Sequence, residues 1–250
     1  MNTPVEVPLQ GGNMNEGVVR VGDTVRRPAG PWTPAVHALL GHLHDCGFEG
    51  APRPLGLDER GREVLTFVPG EVLYPALPDD DGLRRVGRLI RDFHDAVAGF
   101  VPPADARWQA LVPTDGDEII AHCDLAPWNL VTGAGGLTFI DWDVASPATR
   151  LWDLAYACHG FVPLASYAGE PAHRLRVLAD AYGLDERQRI ALVPLLARRS
   201  MAMYDFLAEQ SALGVQPWTR HWAEGHGDSW RGDAEFTARH EDRWRRALLD

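Results

Sequence analysis

Two short stretches near the middle of this 250-residue chain hold residues that could do chemistry together. The first is HCDLAPWN, residues 122–129, in which Asp124 and Asn129 stand five positions apart. The second is IDWD, residues 140–143, which brings Asp141 and Asp143. Pro127 keeps the first stretch out of ordinary helix and stiffens it as a loop. Twelve positions separate Asn129 from Asp141, a gap that a tight β-hairpin spans. An asparagine carbonyl and an aspartate carboxylate converging there suit a hard cation such as Mg2+, whose other ligands are waters and phosphate oxygens. Asp124, held off the metal, can orient a substrate hydroxyl and accept its proton. The plainer readings are a loop-capping role for Asp124 and hairpin hydrogen bonds for Asn129 and Asp141. Asp143 either binds the metal or braces the loop, and His122 is expected to hold the loop through hydrogen bonds.

The elements that must position these residues are legible in the periodicity. Val18–Val21 and Thr24–Arg27 flank a Gly22-Asp23 turn and read as a hairpin. A helix opens at Thr33 or Pro34, with Val36, Leu39, Leu40 and Leu43 on one face and Gly47 at its end. Pro54–Leu57 and Glu63–Phe67 read as strands around a polar turn. Residues 74–81 resemble a linker, and Leu83–Ala98 is a strongly periodic helix. Glu118–Ala121 is a strand leading into the first polar stretch. Leu130–Thr132 and Leu137–Ile140 form a second hairpin. From Asp143 onward the pattern is helical, with helices expected over about 150–159, 170–182, 186–211, 217–224 and 232–249.

With these elements in place, His122-x-Asp124-x4-Asn129 followed by Ile140-Asp141-x-Asp143 resembles the catalytic and metal-binding motifs of the kinase fold. It is similar in particular to the aminoglycoside phosphotransferase and choline kinase branch, in which a further acid ends the second motif. SPATRLWDLA, LTFVPGE and VGDTVRRP resemble that branch's post-motif helix, hinge and nucleotide-binding hairpin. The likeness covers about residues 10–160 and extends to small bacterial phosphotransferase-like proteins of the trifolitoxin-immunity type. It implies an α+β, two-lobed protein-kinase-like fold, with a small antiparallel β N-lobe carrying one helix and a larger helical C-lobe. The N-lobe is expected over 1–68, a hinge and linker over 69–81, and the C-lobe over 82–250.

The resemblance implies Asp124 as catalytic base, Asn129 and Asp141 as ligands of Mg2+, and Asp143 as a third metal candidate. Asp153 is expected to cap its helix and hydrogen-bond the catalytic loop. The donor would be ATP or GTP, its base lying against the hinge around Leu65, Thr66 and Val68. Gly11, Gly12 and Asn13 either offer backbone N–H groups to phosphate or form a simple turn. The chain departs from the family where the phosphate-gripping lysine should stand. It contains no lysine, and Arg26 falls at that place in the third strand, with Arg27 on the opposite face. An arginine holds phosphate bidentately but is not equivalent to lysine. The helix offers His37 where the lysine's glutamate partner is expected, so an Arg–Glu pair is not foreseen. Two functions follow: a phosphotransferase acting on a hydroxyl of an aminoglycoside-like antibiotic or peptide natural product, or a kinase-like immunity module that protects by binding alone.

Composition narrows the field. The net charge of −11 disfavours nucleic acid as a partner. No apolar run is long enough for a membrane span. The N-terminus has no signal-peptide pattern, and Cys46, Cys123 and Cys158 are widely spaced, so a cytoplasmic protein with reduced thiols is expected. With 45% apolar residues the chain can bury a substantial core.

Overall fold

The computed structural model describes residues 5–9, 17–165 and 169–250. The N-terminal part is a five-stranded antiparallel sheet with one helix. Its elements are β1 (Val7–Pro8), β2 (Val19–Val21), β3 (Thr24–Arg27), α1 (Thr33–Asp45), β4 (Pro54–Leu57) and β5 (Glu63–Thr66). The strands lie in the order β1-β2-β3-β5-β4. Gly22 adopts a left-handed φ of 60°, which lets the two-residue turn close between β2 and β3. Helix α1 lays Val36, Leu39, Leu40 and Leu43 into the core, as their spacing requires. The helix ends where Gly47, at φ 78°, turns the chain and Phe48 N–H returns to the Leu43 carbonyl at 2.9 Å.

Residues 74–79, within the expected linker, lie outside helix and strand. Residues 71 and 72 form β6 (Glu71–Val72), followed by α2 (Asp80–Val97), whose N-cap Asp79 accepts a hydrogen bond from Gly82 N–H at 2.8 Å. Four further strands follow: β7 (Ile119–Ala121), β8 (Leu130–Gly133), β9 (Gly136–Phe139) and β10 (Ser146–Ala148). Strand β6 pairs with β8, which pairs with β9, so the segment after the hinge is hydrogen-bonded to the hairpin between the two polar motifs. Leu73 N–H to Leu130 O and Tyr74 N–H to Pro127 O extend that tie to the 122–129 loop. Gly70 and Gly133 meet at this crossing, and a Cβ on Gly133 would overlap the Pro69 carbonyl oxygen. Gly133→Ala is therefore expected to destabilise the protein by about 1–3 kcal/mol in a denaturant melt.

The helical pattern expected from Asp143 onward begins only at α3, because β10 comes first. Its Pro147 is unsuited to a helix interior, and the strand instead pairs antiparallel with β7, Ser146 opposite Ala121. That pairing fixes the end of the second motif beside the start of the first. The remaining chain is α3 (Arg150–Phe161), α4 (Pro171–Tyr182), α5 (Glu186–Ala212), α6 (Trp218–Ala223), α7 (His226–Arg239) and α8 (Glu241–Leu249). The single helix expected over 232–249 is two helices broken at His240. Trp244, fully buried, donates its indole N–H to the Thr237 carbonyl at 2.9 Å and folds α8 back onto α7. The core of this part joins α2, the β7–β10 region, α3, α4 and α5 through Phe93, Phe139, Trp142, Trp152, Phe161 and Leu196. Among the described residues no helix is long and apolar enough to cross a membrane.

Candidate active site

The 122–129 loop hangs on one buried carboxylate. Asp153, on the first turn of α3, is wholly buried and accepts from His122 N–H at 3.1 Å, Cys123 N–H at 2.8 Å and the His94 ring Nε2 at 3.1 Å. His94 continues to the Tyr182 hydroxyl at 2.8 Å. Burial works to raise the Asp153 pKa, but His94, His122 and the Cys123 N–H outweigh it and hold it below the usual carboxylate value. The helix itself is capped by Thr149, whose hydroxyl accepts from Trp152 N–H, so the capping role expected of Asp153 falls to Thr149. His122 joins the two motifs: its Nε2 contacts the Ile140 carbonyl at 3.1 Å and its Nδ1 accepts from Asp124 N–H at 3.3 Å. The ring also packs 4.5 Å from that of Trp142, and burial lowers its pKa. Cys123 takes a left-handed φ of 65° and is buried.

Asp124 and Asn129 meet directly. Asn129 Nδ2 donates to Asp124 Oδ2 at 2.7 Å and to the Asp124 carbonyl at 3.1 Å. Both amide protons are thus committed, which leaves Asn129 Oδ1 free to act as a ligand oxygen. The Tyr156 hydroxyl, one turn along α3 from Asp153, also acts on Asp124 and favours its charged form. Burial pushes the Asp124 carboxyl up to about 7, with the neighbouring Asp141 charge acting the same way and Tyr156, Asn129 and Arg199 opposing. Arg199 of α5 is buried; its Nη2 donates to the Cys123 carbonyl at 3.0 Å and its guanidinium lies 4.3 Å from the Tyr156 ring centroid. Beyond Tyr156, Trp230 of α7 stacks 4.0 Å from the His159 ring. Burial, with Arg199 nearby, brings the His159 pKa down to about 4.

Asp141 and Asp143 lie across the cleft from the N-terminal sheet. Asp141 has a left-handed φ of 62°, a conformation that a side chain other than glycine adopts at some cost and that recurs at functional sites. The arginine that reaches this pair is Arg27. Its Nη2 lies 3.1 Å from Asp141 Oδ1 and contacts Asp143 Oδ2, and its Nε lies 3.1 Å from Glu63 Oε2. Burial disfavours the Arg27 charge, but Asp141, Asp143 and Glu63 together outweigh that effect. Arg26, expected to face the phosphates, points the other way: it contacts the Thr24 hydroxyl at 3.3 Å and Asp58 at 3.6 Å. Alternation along β3 explains the correction, because Arg27 shares the face of Val25 and Arg26 that of Thr24. The expectation that no Arg–Glu pair forms is corrected as well. The glutamate comes from β5, where Glu63 stands in register with Arg27, and not from α1.

The donor set fits a hard divalent cation. Asn129 Oδ1, Asp141 and Asp143 offer oxygen only, and a guanidinium already rests against both carboxylates, as a cation would. Burial raises the Asp143 pKa against the opposing charge of Arg27. Among the described residues no group of three or more His, Cys, Asp or Glu stands at metal-ligating spacing, so such a cation would complete its shell with waters and phosphate.

At the hinge, Leu65 is buried. Thr66 N–H is committed to the Arg53 carbonyl at 3.0 Å, and the Thr66 hydroxyl accepts from Arg53 N–H at 2.9 Å. Val68 lies between β5 and β6, outside the strand ladder. Gly12 and Asn13 lie outside the described residues. Sequence reasoning missed Tyr156, Arg199, His94 and the role of Glu63. A usable signal existed for Tyr156, which follows Asp153 by three positions on one helix and so shares its face.

Residues 97–193 match the pattern of the phosphotransferase enzyme family. The trifolitoxin immunity protein of Rhizobium leguminosarum bv. trifolii is 36% identical over 228 residues, covering 85% of this chain and 86% of that one. Among solved structures, a choline/ethanolamine kinase family protein from Mesorhizobium loti superposes with a TM-score of 0.66 at 18% identity, over 98% of this chain and 93% of its own. A spectinomycin phosphotransferase in complex with ADP and spectinomycin gives 0.65 at 11% identity, over 97% and 94%. An amicoumacin kinase in complex with AMP-PNP and Ca2+ gives 0.64 at 12% identity, over 93% and 88%. The α+β kinase-like fold accords with these three neighbours, residues 97–193 carry the pattern of the phosphotransferase enzyme family, and by its likeness over most of its length the chain belongs to the family of the trifolitoxin immunity protein.

Proposed function

We propose that this protein transfers the γ-phosphoryl group of ATP or GTP to a hydroxyl of a small molecule, an aminoglycoside-like antibiotic or a peptide natural product. The observation that carries the reading is the split use of Asn129: both protons of its NH2 are tied to Asp124, which leaves its Oδ1 as an acceptor or ligand oxygen. One side chain thereby fixes the distance between a base and a cation site. A bound Mg2+ would neutralise phosphate charge and would be held by Asn129 Oδ1, Asp141 and Asp143. Asp124 accepts a hydrogen bond from the acceptor hydroxyl and takes its proton as that oxygen bonds to the γ-phosphorus. The bond from phosphorus to the β–γ bridging oxygen breaks, and nucleoside diphosphate leaves. Arg27 contributes positive charge on the sheet side of the cleft, in the place expected of Arg26. Val68 and Leu65 flank the base, while Gly12 and Asn13 remain candidates for backbone contacts to phosphate.

The test is product detection. The protein, Mg2+ and ATP or GTP are incubated with a panel of hydroxyl-bearing antibiotics and peptides, and phosphorylated product is sought by mass spectrometry. Product formed by the wild type and not by Asp141→Ala supports transfer. A second reading rests on the likeness to the immunity protein and on the seating of Arg27 over both aspartates: protection by binding alone. Under it, cells keep their resistance when Asp141→Ala is expressed at the wild-type level.

A further inference from the structure

The cluster around Arg27 contains more negative charge than it needs for itself. Three carboxylates, those of Glu63, Asp141 and Asp143, surround one guanidinium, and the Glu63, Asp143 and Arg27 side chains are nearly inaccessible. A buried cluster with surplus negative charge is costly unless a further cation joins it. His37, from α1, supports the cluster from behind: its Nε2 lies 2.9 Å from Glu63 Oε1, and an ionised carboxylate can only accept, so the ring N–H donates.

The two sides of the guanidinium are held differently. Its Nη2 is hydrogen-bonded to Asp141. Its Nε is near Glu63 Oε2 at 3.1 Å but is not aligned for a hydrogen bond. The contact with Glu63 is therefore one of charge. The aspartates are the very groups a metal–nucleotide would claim. Once they are claimed, Glu63 is the carboxylate left to keep Arg27 in the cleft, facing phosphate. Glu63 sits in register with Arg27 on the neighbouring strand, and His37 keeps it aimed.

Resting on the phosphotransferase reading, we infer that Glu63, braced by His37, is the positioning residue that retains Arg27 for phosphate when the aspartates pass to the metal. The chain thus builds its phosphate grip from strand β5 and helix α1 together. Glu63 has no contact with nucleotide in this account and acts only through Arg27.

A double-mutant cycle tests this. Affinity for ATP in excess Mg2+ is measured by calorimetry, well below the melting temperature, on wild type, Arg27→Gln, Glu63→Gln and the double variant. Glu63→Gln is expected to weaken binding about tenfold, equivalent to about 1.4 kcal/mol. In the Arg27→Gln background the same change should have no further effect, which a general structural role would not produce. Additive losses, or unchanged or tighter binding by Glu63→Gln, overturn the inference and leave the phosphotransferase reading standing. If Glu63→Gln does not fold, His37→Gln replaces it in the same cycle, with about a threefold loss expected that vanishes without Arg27. Wild-type protein that binds neither ATP nor GTP with Mg2+ overturns the phosphotransferase reading and this inference with it.

Discussion

Asp124→Asn is expected to lower phosphoryl transfer by about 10²–10⁴-fold while leaving the melting temperature unchanged or higher. The loss follows because an amide cannot take the acceptor proton. The retained stability follows from the site. Asp124 is buried, and its carboxyl is pushed up to about 7 chiefly by that burial. An acid whose folded pKa lies above its unfolded value loses stability as pH rises between the two, here from about 4 to about 7. Above that window the wild type carries an unfavourable buried charge that the asparagine variant lacks. The Asn129 Nδ2 donor still finds an oxygen at position 124. Turnover and thermal melts of both proteins above neutral pH check this. Activity within tenfold of wild type contradicts the assignment of the base.

Asp153→Ala is expected to have the largest effect on stability, about 3–5 kcal/mol. Its carboxylate accepts from two backbone N–H groups and one histidine inside a closed core, and alanine leaves all three donors without it. For a chain of this length that is a fall of roughly 10 °C in melting temperature. The same residue shapes the acid limb of stability. Its folded pKa lies below the unfolded value, so its contribution is present above about 3.8 and is lost as pH falls through the depressed folded value. Asp153→Ala should therefore melt lower than wild type near neutral pH and show a shallower decline on acidification. Equal melting temperatures at neutral pH contradict the picture of a carboxylate that carries the loop.

The residues proposed as base and metal ligands could be picked out in sequence because they are local. Asp124, Asn129, Asp141 and Asp143 sit in two short runs, and the hairpin β8–β9 that joins them announces itself by alternation and a glycine-rich turn. The first hairpin and α1 were readable for the same reason. What escaped depends on register or on long-range pairing. Choosing Arg26 over Arg27 required knowing which face of β3 meets the cleft, and adjacent arginines give no periodicity to decide it. Glu63 could be recognised only once β5 was paired with β3, 36 residues away from Arg27 in the chain. Strand β10 is three residues long and contains proline, too little pattern to register as a strand. The break between α7 and α8 has no glycine or proline to mark it. It is made by tertiary contact, when Trp244 turns back to Thr237. Arg199 lies in an amphipathic run of α5, where nothing local distinguishes it from the exposed Arg198.

The most direct test of the account is nucleotide binding followed by thermal shift, with ATP and GTP, each with and without Mg2+, on wild type and Asp141→Ala. A ligand that binds only the folded state adds about 2.7 kcal/mol at a hundred times its dissociation constant. The melting temperature of the wild type is expected to rise with nucleotide only when Mg2+ is present, and the rise to be lost in Asp141→Ala. No rise with either nucleotide, or a rise of equal size in the variant, would contradict it.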